Sequence, residues 1–251
     1  SYTLATSNAY IATASLVKMN TITVFGKGKG TAVIVVTDNE SGEKKSITVN
    51  VQASASDIPD GVIIENGVLK KWPCVKIPDD GKVVIPNTVT EIGRRAFFDC
   101  SELIAVEIPN SVTIINEQAF SSCKGLTAIN IPSTVENIGY EAFSNCNGLT
   151  SVIIADGVKK IDDYAFSGCS NISKVVIPNS VKYMGTRVFL DCASLVTVKL
   201  SENILSIPHS TFNRCYSLKN VDFSSRLTRV EDYAFSECTS LVSMTLPNTI
   251  T

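Results

Sequence analysis

The sequence predicts a mainly β chain: a right-handed solenoid of 23-residue repeats with short helical or 3₁₀ turns, preceded by a small β-sandwich. Three observations carry this. Phe97, Phe120, Phe143, Phe166, Phe189, Phe212 and Phe235 follow one another at a fixed spacing of 23 residues. A cysteine stands three residues after each, at Cys100, Cys123, Cys146, Cys169, Cys192, Cys215 and Cys238, and an aliphatic residue three further on, from Leu103 to Leu241. Apolar residues then recur at the next +3 and +5 positions, from Val106 and Ile108 to Met244 and Leu246, with no insertion in any copy. A unit this short cannot bury its own apolar face, so the copies must stack.

Within the unit V-x-x-I-G-x-x-A-F-x-x-C-x-x-L-x-x-V-x-I-P, the L-x-x-V-x-I portion ends with the period of two expected of a strand with one buried face. The A-F-x-x-C portion has the spacing of a single helical or 3₁₀ turn. Pro109, Pro132, Pro178 and Pro247 end strands, because proline has no N–H for a ladder. Gly93, Gly139 and Gly185 are expected at a bend of positive φ. Antiparallel hairpins would need turn residues about twice as often and would not keep the 23-residue spacing.

These residues resemble the BspA-like (Treponema-type) leucine-rich repeats of bacterial surface proteins, over about residues 82–251. The segment Ile63–Trp72 followed by Val83–Pro86 looks like the first, degenerate coil that caps such arrays, and 53–81 is assigned to a linker and this coil. Ala155, Ser201 and Ser224 depart from the consensus proline, Pro208 from the glycine, and Val188 and Thr211 from the alanine.

Residues 1–52 lack the period. Thr21–Val24, Thr31–Val36 and Ser46–Val51 read as β-branched strands, the last two as an antiparallel hairpin. Ser7–Thr13 and Gly28–Val35 resemble the bacterial Ig-like domain of group 2, with room for about five strands where such a sandwich has about seven. The domain is therefore expected to be truncated at its N-terminus. At the other end, 247–251 begins a further coil and no polar cap is visible.

Composition narrows the function. A 44% hydrophobic and 18% charged chain is that of an ordered protein with a sizeable core. Residues 1–52 carry 5 Lys against 3 acidic residues and the rest 17 basic against 21 acidic, giving +2 and −4, so no basic excess suggests nucleic acid. No apolar run approaches the roughly 18 residues that a membrane helix needs. The chain starts at Ser1 without a charged-then-apolar leader, and a signal peptide is expected to be absent from it.

No catalytic site is expected, nor a cofactor. Metal sites want close cysteine pairs, and the periodic cysteines lie 23 residues apart. They read as one inward ladder of structural thiols, with Cys74 out of register and without an evident partner. His209 is the single histidine and reads as a surface residue; Asp79-Asp80, Asp162-Asp163 and Glu231-Asp232 read as solvated turns. Gly26-x-Gly28-x-Gly30 precedes a strand and is no phosphate loop.

The candidate ligand-binding residues are the outward row of the strand face: Glu107, Asn130, Ile153, Val176, Lys199, Asp222 and Thr245. Beside it runs Ala105, Ala128, Ser151, Lys174, Thr197, Asn220 and Ser243. Ile153 and Val176 are adjacent, apolar and rimmed by polar residues, the pattern of a contact surface. The family resemblance implies an extracellular or outer-membrane-associated adhesin that binds a host matrix protein, a cell-surface protein or a glycan. A rigid spacer without its own ligand is the second reading. An enzyme on a parallel β-helix is the third, and would need several strands per coil and a cluster of acids or bases breaking the repeat, neither of which the sequence shows.

Overall fold

The computed structural model describes residues 2–6, 12–18, 21–26, 30–38, 41, 43–51 and 58–250. The chain divides into two compact units, Ser1–Ile58 and Pro59–Thr251. In the first, Tyr2–Thr6 and Lys44–Val51 flank Gly30–Asp38 in an antiparallel sheet, and Ala12–Lys18 pairs with Thr21–Gly26. The expected hairpin is the Gly30–Asp38/Lys44–Val51 pair. Ser7–Ile11, Lys27–Lys29 and Ala53–Asp57, which carry parts of the motif and linker readings, lie outside the described residues.

The second unit is the solenoid. Its coils are numbered one to seven here by their phenylalanines, Phe97 to Phe235. Six of these rings stack on one another and on Phe235 at 5.0–5.7 Å between centroids, nearly parallel, and Trp72 continues the pile onto Phe97 at 5.6 Å. Around the pile the residues at the consensus valine, isoleucine, alanine, cysteine and leucine positions of coils one to six are buried in one continuous core, while Val230 and Leu241 of coil seven are only partly buried against it.

Coils one to six each carry two short strands, where the sequence pattern pointed to one. The first ladder holds the expected strands Lys82–Val84, Ala105–Glu107, Ala128–Ile131, Ser151–Ile154, Lys174–Val176, Thr197–Lys199 and Asn220–Asp222, which pair parallel, 23 residues apart in register, in groups of two, two and three. The second is built on the V-x-x-I positions: Glu91–Ile92, Ile114–Ile115, Asn137–Ile138, Lys160–Ile161 and Tyr183–Met184 run parallel, and Val68–Lys71 with Ile63–Glu65 extends the same sheet. Ser206–Ile207 and Arg229–Val230 form a separate pair. In coil seven, 241–247 joins no sheet, and Met244 and Leu246 are exposed. The strand expected there is missing because no further coil among the described residues covers those apolar positions.

The A-F-x-x-C segment is not a helical turn. Ala96, Phe98 and Cys100 donate three residues back, to Gly93, Arg95 and Phe97, while Arg95, Phe97 and Asp99 donate forward to Glu117, Ala119 and Ser121 of the next coil at 2.8–3.0 Å. Arg95 and Asp99 adopt φ of 57° and 59° to send alternate N–H groups outward, and their counterparts repeat this in every coil. A helix would keep those donors for itself.

The glycines also differ from expectation. Gly93, Gly139 and Gly185 do not have positive φ. A Cβ at Gly93 would stand 2.7 Å from the Leu69 carbonyl oxygen, and one at Gly139 2.8 Å from the Asn116 carbonyl carbon. Close approach of the preceding coil is what these positions require.

Cys74 is not unpartnered: it forms a disulfide with Cys100. This takes the first rung out of the thiol ladder and ties the initial coil to coil one. Cysteines 123, 146, 169, 192, 215 and 238 stay free and buried.

Candidate functional site

The candidate row follows directly from the first ladder. Alternation along each strand buries Ile129, Val175 and Val198 and turns the intervening side chain outward. All seven row residues, Glu107, Asn130, Ile153, Val176, Lys199, Asp222 and Thr245, are exposed. The first six stand on neighbouring coils; Thr245 lies on the unpaired segment of coil seven. Lys199 and Asp222 face each other at 3.8 Å across an exposed ion pair, which adds little to stability.

The ladder is not continuous. It breaks twice: Ala105–Glu107 and Ala128–Ile131, on coils one and two, fall in different sheets, and so do Ser151–Ile154 and Lys174–Val176, on coils three and four. Among the described residues no backbone hydrogen bond joins the latter two strands, although Thr150 N–H still reaches the Thr127 carbonyl and Val196 N–H that of Ser173. A cleft of about 490 Å³ opens at the second break, lined by Thr150, Ser151, Ile153, Ser173, Lys174 and Val176. Ile153 is 57% and Val176 44% exposed on it. Nothing in the sequence at these positions marks the break.

The other chemistry-bearing residues serve the coil. Each free thiol donates to a carbonyl 26 residues earlier: Cys123 to Phe97, Cys146 to Phe120, Cys169 to Phe143 and so on to Cys238, at 3.0–3.3 Å. Burial pushes the thiols of Cys123 and Cys169 up to about 12 and that of Cys238 to about 11. They are held as thiols, unsuited to nucleophilic or metal chemistry near neutrality. Asp162 pairs with Lys160 at 2.8 Å, and Asp163 accepts from the Thr186 N–H at 2.7 Å. Glu231 accepts from the His209 N–H, and the His209 ring stands 3.3 Å from an Arg187 nitrogen and edge-on to Tyr233. No group of three or more His, Cys, Asp or Glu side chains that could hold a metal ion occurs among the described residues. No helix of the described residues is long and apolar enough to cross a membrane.

Stacked 23-residue coils, an inward Phe–Cys–Leu core and an outward variable row define a leucine-rich-repeat solenoid. A family model described as the BspA type leucine rich repeat region, with six copies, matches residues 80–192 and 136–251. The chain belongs to this family. A leucine rich repeat protein of T. pallidum is similar at 26% identity and a TM-score of 0.67, over 76% of this chain and 91% of that one. The pneumococcal vaccine antigen PcpA shares the fold at 20% identity and a TM-score of 0.51, over 73% of this chain and 55% of its own. A leucine rich cell surface protein of Faecalibacterium prausnitzii is 32% identical over 68% of this chain and 54% of that one, at a TM-score of 0.44. The chain spans about half the length of these last two proteins. No protein of curated function matches it.

Proposed function

We propose that this chain is a non-enzymatic binding protein of a bacterial surface, and that it recognises a host or cell-surface protein or a glycan through the first-ladder row. The observation that carries this is the exposure of Ile153 and Val176 at the cleft between coils three and four. Membership of the BspA-type family supports the surface location and the adhesin role. In this reading residues 1–52 are an Ig-like module, 53–81 a linker and capping coil, and 82–251 the recognition array. Glu107, Asn130, Lys199 and Asp222 then set specificity around the apolar pair.

The test is binding of the whole chain to an array of matrix proteins and glycans, beside an Ile153→Lys/Val176→Lys double variant. Saturable binding that weakens at least tenfold in the variant, with an unchanged circular dichroism spectrum, supports the reading. Binding that survives the change moves recognition off this face. Absence of binding to every member of the array at high micromolar concentration favours a spacer role, in which pairs such as Lys199–Asp222 only keep the face soluble.

A further inference from the structure

The second ladder has one gap, and a proline makes it. At every other junction from coil one to coil seven at least two backbone bonds of this ladder join successive coils. Thr113 and Asn116 donate to Thr90 and Ile92, Lys182 and Gly185 to Lys159 and Ile161, Thr228 and Glu231 to Leu205 and Ile207. Between coils five and six the matching donors are Leu205 and residue 208. Residue 208 is Pro208, which has no N–H to give. The Met184 carbonyl is left without its rung, and the neighbouring Leu205 N–H to Lys182 carbonyl bond is lost with it. The sheet ends at Tyr183–Met184, and Ser206–Ile207 starts another.

A cleft of about 330 Å³ occupies the gap, a volume at the small end of ligand-binding clefts. Its lining includes Tyr183, Leu205, Lys182, Asn203 and Glu231. Tyr183 and Leu205 are 50% and 48% exposed, so two apolar walls flank main-chain groups that have no partner. The coils are held at this spacing from the other side, where Arg187, Phe189 and Asp191 donate to His209, Thr211 and Asn213 at 2.9–3.0 Å. The gap is therefore built into the array rather than a fraying end.

We propose that this cleft binds an extended peptide segment through its main chain, as a surrogate rung. A peptide amide supplies in one unit what the gap lacks: an N–H for the Met184 or Lys182 carbonyl and a carbonyl for the Leu205 N–H. An apolar side chain of the same segment lies against Tyr183 and Leu205. Addition of a strand to an open edge draws its affinity from main-chain bonds and its specificity from such side-chain walls. The site lies on the second ladder and is independent of the Ile153/Val176 reading.

The experiment starts from a random phage-displayed heptapeptide library, panned on the full chain. Enriched peptides, synthesised with capped ends, are titrated into three proteins: the native chain, Pro208→Gly, and Ile153→Lys/Val176→Lys. Pro208→Gly restores both the consensus residue and the missing N–H, and so closes the gap. The expected result is at least tenfold weaker binding to Pro208→Gly and no change in the strand-face variant. N-methylation of one peptide amide should abolish binding, and titration should shift the backbone amide resonance of Leu205. Equal binding to Pro208→Gly, tolerance of N-methylation at every position, or no enrichment over an unrelated protein overturns the proposal. Binding of N-acetylated chito-oligosaccharides in place of peptides, through the acetamido group, overturns it as well.

Discussion

The buried cysteines act as hydrogen-bond donors inside an apolar core. Each thiol reaches the carbonyl of the phenylalanine one coil back, so the side chain that packs the coil also ties it to its neighbour. Because burial raises the folded thiol above its unfolded value of about 9, the stability it contributes is complete below pH 9 and is lost as pH rises towards 12. The urea midpoint is thus expected to hold steady from pH 7 to 8.5 and to fall above pH 9, and Cys169→Ala should make that fall shallower. Native protein should leave all six free thiols unmodified by iodoacetamide at pH 8, with labelling appearing only on unfolding. Phe143 is fully buried between two stacked rings, and Phe143→Ala should cost about 3–5 kcal/mol. Phe235 is only half-buried, and the same change there should cost less in a parallel urea titration. The 23-residue spacing made this ladder legible in advance. The positive φ of Arg95, Asp99 and their counterparts was not, since charged and polar side chains give no sign that their N–H groups are spent on the next coil.

At the scale of the strand, only half of each coil could be read from the pattern. The L-x-x-V-x-I segment alternates over enough residues to show a period of two, whereas the second-ladder strands are two residues long and leave only a V-x-x-I spacing. No alternation can show in two residues. The departure at Pro208 was visible as a break in the consensus, but its consequence needed the missing rung of the next coil. Amide exchange gives a direct check: Leu205 N–H should exchange orders of magnitude faster than its counterparts Lys182 and Thr228, whose bonds are 3.0 and 2.8 Å. The Cys74–Cys100 bridge was illegible for the opposite reason, because a residue outside the repeat has no register from which to infer a partner. Joining residues 26 apart in the chain, it should contribute roughly 3.5 kcal/mol through the unfolded state. Reduction, or Cys74→Ser, should lower the midpoint of unfolding without changing the far-ultraviolet spectrum.

At the scale of the molecule, the array separates what holds it together from what it shows to a partner. Rings, thiols and turns repeat from coil to coil, while the outward row changes at each step from Glu107 to Asp222. The row was legible because it is whatever the buried positions leave over. The two openings, one on each ladder, were not, since each depends on hydrogen bonds that fail to form between coils. Both clefts thus arise where neighbouring coils let go of each other on one side while remaining bonded on another.

The nearest-neighbour plan also has a mechanical side. Drawn out from its ends, a chain whose coils hold only adjacent coils should yield in discrete steps, each releasing 23 residues, or roughly 75–80 Å of contour. The Cys74–Cys100 bridge withholds one such length. A force–extension trace of the oxidised protein should therefore lack one tooth, and a reductant should restore it.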